Sequence, residues 1–195
     1  IIGDIGGTNV RLSLQEISSE RTIEPIIIDK TNLRPIDFNS FEELIKDYIS
    51  RFPKYSPTFA VIGLPGPINN NQVMTFPNIS HWKSVNGEDL SKKLGLKKFL
   101  LLNDFVCNGF GIQTKLRENI DIIKLNDANK DEGGQKVIIG PGTGLGISWL
   151  IKYNNEKYYK VCPTECGRKD FVAKTKKYRE IVELIKKETE LKNVS

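Results

Sequence analysis

Apolar positions at the start of the chain fall into the pattern of a strand, a turn and a second strand. Ile1-Ile2-Gly3-Asp4-Ile5 is an apolar run, Gly6-Gly7-Thr8-Asn9 interrupts it, and Val10, Leu12 and Leu14 then alternate with Arg11 and Ser13. This predicts a strand, a tight glycine turn and a half-buried second strand. Ile23 and Ile26-Ile27-Ile28 predict a third strand over 22–30, extending the hairpin into a meander. The period then changes. Phe41, Leu44, Ile45, Tyr48, Ile49 and Phe52 recur at helical spacing, behind an Asn39-Ser40 cap, and Pro53 stops the helix. Residues 58–64 read as a buried strand ended by Pro65-Gly66-Pro67. Asn69-Asn70-Asn71 is a turn before a short strand over 72–75, 77–82 is a loop, and 87–94 is a short helix ended by Gly95.

The second half opens with another buried strand at Leu100-Leu101-Leu102. A helix over 104–115 follows, in which Gly109 and Gly111 allow close packing on a sheet. A short strand is expected over 120–125 and a polar loop over 127–134. Strands at 137–139 and 147–151 flank the turn Gly140-Pro141-Gly142-Thr143-Gly144-Leu145-Gly146. A strand over 158–162 and an amphipathic helix over 178–190, with Ile181, Val182, Leu184 and Ile185 on one side, complete the order. Trp82 and Trp149 are expected in the core. Strands and helices mix as in α/β proteins, with an antiparallel hairpin at the start of each half.

Composition narrows the function classes. The 195 residues suffice for one large or two small domains, and 38% hydrophobic with 27% charged content describes an ordinary soluble chain. The net charge of +5 is mild and spread out. Its densest run, Lys174-Thr175-Lys176-Lys177, reads as a solvated helix face, so no nucleic-acid partner is expected. Cys107, Cys162 and Cys166 do not make a disulfide framework, and with His81 they match no common zinc spacing. Free thiols point to a reducing compartment, so a cytoplasmic location is expected. Asp127, Asn129 and Asp131 resemble a calcium loop, but the glycine falls one place late and no Glu closes it. No apolar run approaches the length of a membrane span. The sequence opens on Ile1 rather than Met, so we expect it to lack its natural start, which would hide any targeting segment.

Three short stretches carry candidate chemistry. Asp4 ends the first strand beside the glycine turn, whose backbone N–H groups can form a concave anion site. A carboxylate beside a phosphate needs a cation between them, which points to a magnesium nucleotide; an ordinary hairpin with Asp4 in solvent is the other reading. The turn from Gly140 to Gly146 is a second such site or a plain hairpin. Asn103-Asp104, delivered at the carboxyl end of a strand, is either a catalytic pair or the cap of the next helix. Glu165 alone is a surface carboxylate.

Taken together, Asp4-Ile5-Gly6-Gly7-Thr8-Asn9, Asn103-Asp104-Phe105, Gly140 to Gly146 and Pro163-Thr164-Glu165-Cys166-Gly167-Arg168-Lys169-Asp170-Phe171 resemble the bacterial-type glucokinases. These belong to the sugar kinases with an actin-like ATPase (ribonuclease H-like) fold. The resemblance runs in register over essentially all 195 residues. It implies a two-lobe α/β fold with an incomplete second lobe: a small lobe over 1–103, the start of a large lobe over 104–195, and a cleft between them. It implies ATP-dependent phosphorylation of glucose to glucose 6-phosphate, with Asp104 as general base. Gly6, Gly7, Thr8, Asn9, Gly142, Thr143 and Gly144 would hold the phosphates, Asp4 would position Mg²⁺ through water, and Asn78, Asn103, Asp104, Glu165 and Arg168 would bind the sugar. Glucose and ATP are the implied partners, with a homodimer or, for a subunit, a larger protein assembly.

Two features depart from that family. Arg168 stands where the family usually has a sugar-contacting His; it is larger, always charged and only donates, so it puts the sugar preference in question. The family's chains also continue well past this point, with a further acidic sugar ligand and an adenosine-binding segment. The expectation is therefore either a piece of an active kinase or a shortened relative serving as a catalytically inactive structural or regulatory subunit.

Overall fold

The computed structural model describes residues 1–18, 24–76, 79–114, 121–129, 133–142, 144–153 and 156–189, with Arg168 described by its backbone. The chain divides into two compact units, Ile1–Lys130 and Asp131–Ser195. Helix and strand content and the mixed sheets give the expected α/β class.

The first unit is built on a five-stranded sheet. Strands β1 (Ile2–Ile5), β2 (Val10–Glu16) and β3 (Ile26–Leu33) form the antiparallel meander, with a register shift at Leu14/Gln15. Helix α1 (Phe41–Ser50) follows, capped by Ser40, whose Oγ accepts from the Glu43 N–H at 3.1 Å. Strand β4 (Phe59–Leu64) returns parallel to β1. Two short strands, β5 (Ile68–Asn69) and β6 (Gln72–Val73), are joined by Asn70 and Asn71, whose φ of 48° and 58° give the left-handed pair a two-residue hairpin turn demands. Strand β7 (Val85–Asn86) pairs with β6 and leads into α2 (Gly87–Leu94), ended by Gly95 at φ 68°. Strand β8 (Lys98–Asn103) joins parallel to β4, and α3 (Asp104–Gly111) leaves it directly. The resulting order is β3-β2-β1-β4-β8.

Period-two alternation sends Ile5, Val10, Leu12, Leu14, Ala60, Ile62, Leu64, Phe99 and Leu101 to one sheet face, all buried. They join Phe41, Leu44, Ile45 and Tyr48 of α1 and Leu90 of α2 in one core. Phe41, Phe76, Trp82 and Phe99 make edge or tilted ring contacts at 5.2–5.9 Å between centroids. Trp82 Nε1 donates to the Phe38 carbonyl at 3.0 Å, and His81 Nε2 lies 3.0 Å from the same oxygen, which gives His81 a loop-fixing role. The other sheet face carries Ile2, Phe59 and Val61, all exposed, and α3.

In the second unit β9 (Lys136–Pro141), β10 (Leu145–Ile151) and β11 (Lys160–Thr164) form an antiparallel sheet in the order β11-β10-β9. A 3-10 turn, Cys166–Arg168, and helix α4 (Lys176–Thr189) follow.

Several expectations need correction. Helix α3 ends at Gly111, where an added Cβ would meet nothing within 4 Å, so that glycine serves no close packing. Of the strand expected over 120–125, the described residues 121–125 form only an isolated bridge at Ile122. Trp149 is 43% exposed rather than in the core, because it stands on the uncovered face of β10. None of the α4 residues is buried, and on its apolar side Val182 and Ile185 are only half-buried.

Candidate active site

In the first unit the site is assembled by parallel pairing. Strands β1, β4 and β8 run the same way, with Asp4 level with Gly63 and Gly63 level with Leu102. Their carboxyl ends therefore present Asp4, Leu64 and Asn103-Asp104 along one edge. This is the edge at which open α/β sheets bind ligands.

Asp4 is exposed, and its Oδ2 accepts from Arg11 Nη1 at 2.9 Å across the β1–β2 pair. The following turn is closed by Gly6 N–H donating to the Asn9 carbonyl at 2.8 Å. None of Gly6, Gly7, Thr8 and Asn9 has a positive φ, so the turn lacks the alternating left-handed geometry of a backbone nest. A Cβ at Gly6 would come within 3.2 Å of the Asn9 carbonyl. Tightness, not a left-handed backbone, is what favours glycine there.

Asn103 is buried and caps α3: its Oδ1 accepts from the N–H groups of Phe105 and Val106 at 3.0 and 3.1 Å. Its Nδ2 donates to the Gly66 carbonyl at 3.1 Å, which the φ of 94° at Gly66 turns toward it. The capping reading of Asn103 is thus realised, and the cap in turn fixes the first residue of α3, Asp104. Asp104 Oδ1 accepts from the Phe105 N–H at 2.9 Å. Cys107, one turn on, has its thiol pKa pushed up by burial, then by the Asp104 and Asp4 carboxylates. Both carboxylates thus act on one half-buried sulfur. A groove of about 830 Å³ opens on this sheet face, lined by Asp4, Arg11, Lys30, Val61, Cys107 and Phe110 among others.

The donor set admits magnesium in one form only. Among the described residues no group of three or more His, Cys, Asp or Glu could cage a metal. Asp4 alone, with one oxygen engaged by Arg11, suits an ion held mainly by water and substrate phosphate, as Mg²⁺ is.

In the second unit the β9–β10 turn is closed by Gly142 N–H donating to the Gly144 carbonyl at 2.8 Å. Thr143 lies outside the described residues, as does Asn78 of the first unit. Glu165 is exposed and precedes the 3-10 turn. That turn is anchored by Thr164, whose Oγ1 donates to the Ile147 carbonyl at 3.0 Å and accepts from the Cys166 N–H at 3.3 Å. Gly167 is buried, and a Cβ on it would collide with the Leu145 carbonyl. The Glu165 turn and the strand leaving the Gly142–Gly144 turn are therefore in backbone contact.

Sequence reading gave Gly66 only as a turn residue, Gly167 only as part of a motif and Gly63 only as a strand position, and so missed what they build here. At Gly63 a Cβ would sit 3.2 Å from Cys107 Sγ and 3.7 Å from the Asp104 Cα, so its absence lets α3 lie close on the sheet. The available signal was a glycine inside a run of buried strand residues, which marks close backbone approach.

The whole chain, residues 1–195, matches the family model described as Glucokinase. It is 35% identical over 174 residues to a glucokinase of Helicobacter acinonychis, an alignment covering 88% of this chain and 48% of that relative. The chain spans about half the length of the curated relatives it matches. Its fold is similar to a crystal structure of a glucokinase from an Antarctic psychrotroph, with a TM-score of 0.72 and 24% identity over all of this chain and 57% of that one. It is also similar to a glucokinase from Balamuthia mandrillaris solved in complex with glucose, with a TM-score of 0.63 and 19% identity over 95% and 53% of the two chains. With all of its residues, 1–195, matched by that family model, the chain belongs to the glucokinase family.

Proposed function

We propose that the protein of which this chain forms part or all transfers the terminal phosphoryl group of ATP to the 6-hydroxyl of glucose. The observation that carries the proposal is the Asn103-Asp104 pair at the carboxyl end of β8, on the same sheet edge as Asp4. Phosphoryl transfer asks a protein mainly for positioning and charge, together with a base for the attacking hydroxyl. Asp104 takes that proton. The sugar oxygen bonds to the transferred phosphorus, the bond from that phosphorus to the bridging oxygen breaks, and ADP leaves. The Asn103 cap holds Asp104 at the first helical position, so the carboxylate meets the hydroxyl without reorganising.

The Gly6-Gly7-Thr8-Asn9 turn binds one phosphate through Thr8 and its N–H groups other than that of Gly6, which the Asn9 carbonyl already takes, and Gly142, Thr143 and Gly144 bind another. Asp4 would hold a magnesium ion through water, and that ion would supply charge neutralisation on the phosphates. Asn78, Asn103, Glu165 and Arg168 contact the sugar. A carboxylate that accepts from two hydroxyls discriminates strongly against an analogue lacking one. The small lobe, 1–103, carries the phosphate hairpin and sugar-side loops, and the start of the large lobe, 104–195, carries the base, the second phosphate turn and the Glu165 loop. No helix of the described residues is long and apolar enough to cross a membrane. The three free cysteines support a cytoplasmic location.

The test is a coupled assay for glucose 6-phosphate on the whole protein, wild type and Asp104→Asn. Loss of the base should lower kcat by about 10²–10⁴-fold and leave glucose affinity nearly unchanged. An inactive wild type overturns the activity, and near-normal turnover of the variant removes Asp104 from the base role.

A further inference from the structure

Strand β8 is an edge of the five-stranded sheet, yet three of its outward backbone groups are taken by side chains. The side-chain amide of Asn71 takes two of them. Its Oδ1 accepts from the Leu101 N–H at 2.8 Å, and its Nδ2 donates to the Phe99 carbonyl at 2.9 Å. A third, the Phe99 N–H, donates to Ser91 Oγ at 2.7 Å, and that hydroxyl donates to the Gly87 carbonyl at 2.9 Å. One amide thus offers the acceptor and donor that a neighbouring strand would offer.

Asn71 is itself held. It occupies the second left-handed position of the β5–β6 turn, its carbonyl accepts from the Gly87 N–H at 2.9 Å, and its Nδ2 also reaches Glu88 Oε1 at 3.2 Å. A Cβ on Gly87 would lie 2.6 Å from both Asn71 Oδ1 and the Phe99 carbonyl oxygen, so only glycine leaves room for the clamp. Asparagine suits both tasks at once: it tolerates positive φ and carries a donor and an acceptor on one short stem. A turn needs only the first property.

We propose that Asn71 is a positioning residue for Asp104. It sets the path of β8 two residues before Asn103, and hence the seat of the cap that fixes Asp104, without touching substrate. The inference rests on the reading of Asp104 as the base.

The test compares Asn71→Gly, which keeps the left-handed turn and deletes the amide, with Asn71→Asp, which keeps shape and acceptor and deletes the donor. Asn70→Gly, in the same turn, is the control. In the whole protein, Asn71→Gly should lower kcat about tenfold or more, because errors of about 1 Å in a reacting group cost up to ~10²-fold, while KM for ATP stays within about twofold. Asn71→Asp should fall between it and wild type, and Asn70→Gly should match wild type. Amide hydrogen exchange reads the same event without activity. The Phe105 and Val106 N–H groups, which the Asn103 cap protects, should exchange about tenfold faster in Asn71→Gly, along with Leu101. If the wild type has no kinase activity, the functional reading fails, and the exchange at Phe105 and Val106 still decides whether Asn71 holds the Asp104 turn. Unchanged exchange at those two amides in whichever Asn71 variant folds, or unchanged kcat in an active enzyme, overturns the proposal.

Discussion

Gly167 offers the sharpest test of how the second unit is built. A Cβ added there would lie 2.7 Å from the Leu145 carbonyl carbon and 3.1 Å from the Leu145 Cβ, with the carbonyl oxygen nearer still. Ordinary contact begins at 3.4 Å, and the obstacle is backbone, which cannot swing aside as a flexible side chain would. Gly167→Ala must therefore move either the 3-10 turn that follows Glu165 or the start of β10 that follows Gly144. The Thr164 bonds to Ile147 and Cys166 resist the first movement, and the β9–β10 ladder resists the second. Overpacking of this kind costs about 1–3 kcal/mol of stability. A shift of about 1 Å in a substrate-positioning group can cost 10²-fold in rate. We expect kcat/KM for glucose in the whole protein to fall about 10²-fold, with a melting temperature only a few degrees lower. Gly111→Ala, which adds a methyl where nothing lies within 4 Å, should leave both unchanged. The assays are coupled detection of glucose 6-phosphate and thermal melting. A Gly167→Ala enzyme within about threefold of wild type, a difference of well under 1.4 kcal/mol, would refute the backbone contact as the link between the two turns.

Arg168→His should tighten glucose binding in calorimetric titration, since it restores the side chain that the family usually places there; equal or weaker binding would refute Arg168 as a departure that alters the sugar pocket. Tyr48 is fully buried, and burial together with its hydrogen bond to Asp29 at 2.9 Å raises its phenol pKa above the usual tyrosine range. The folded state therefore keeps a proton that the unfolded chain loses near pH 10, so this contribution is present below about pH 10 and declines as pH rises further. Tyr48→Phe should flatten the fall in melting temperature above that pH and cost about 1 kcal/mol at pH 7; an unchanged alkaline slope would refute the assignment.

Much of the fold was legible in the chain alone, because local rules and tertiary packing agree there. Alternation in Val10 to Leu14 and helical spacing from Phe41 to Phe52 each name a single buried face, and the structure buries those faces. The Gly95 stop and the Ser40 cap are short-range devices that need no distant partner. The Asn103-Asp104 pair could be placed at a strand end from sequence, and its family could be named from four short motifs in order.

What tertiary structure alone decided is every feature that depends on which backbone comes close to which. Parallel pairing of β1, β4 and β8 brings Asp4, residue 63 and residue 102 level, although 98 residues separate the first from the last. Gly63 and Gly167 look like ordinary glycines until the Cys107 sulfur and the Leu145 carbonyl are seen against them. Asn71 reads as a turn residue because its second task, closing the edge of β8 some thirty residues on, has no local signature. The same reason explains the errors. Trp149 and the apolar side of α4 have the composition of core residues, but burial belongs to the surface that covers a side chain, and the described residues cover these only in part.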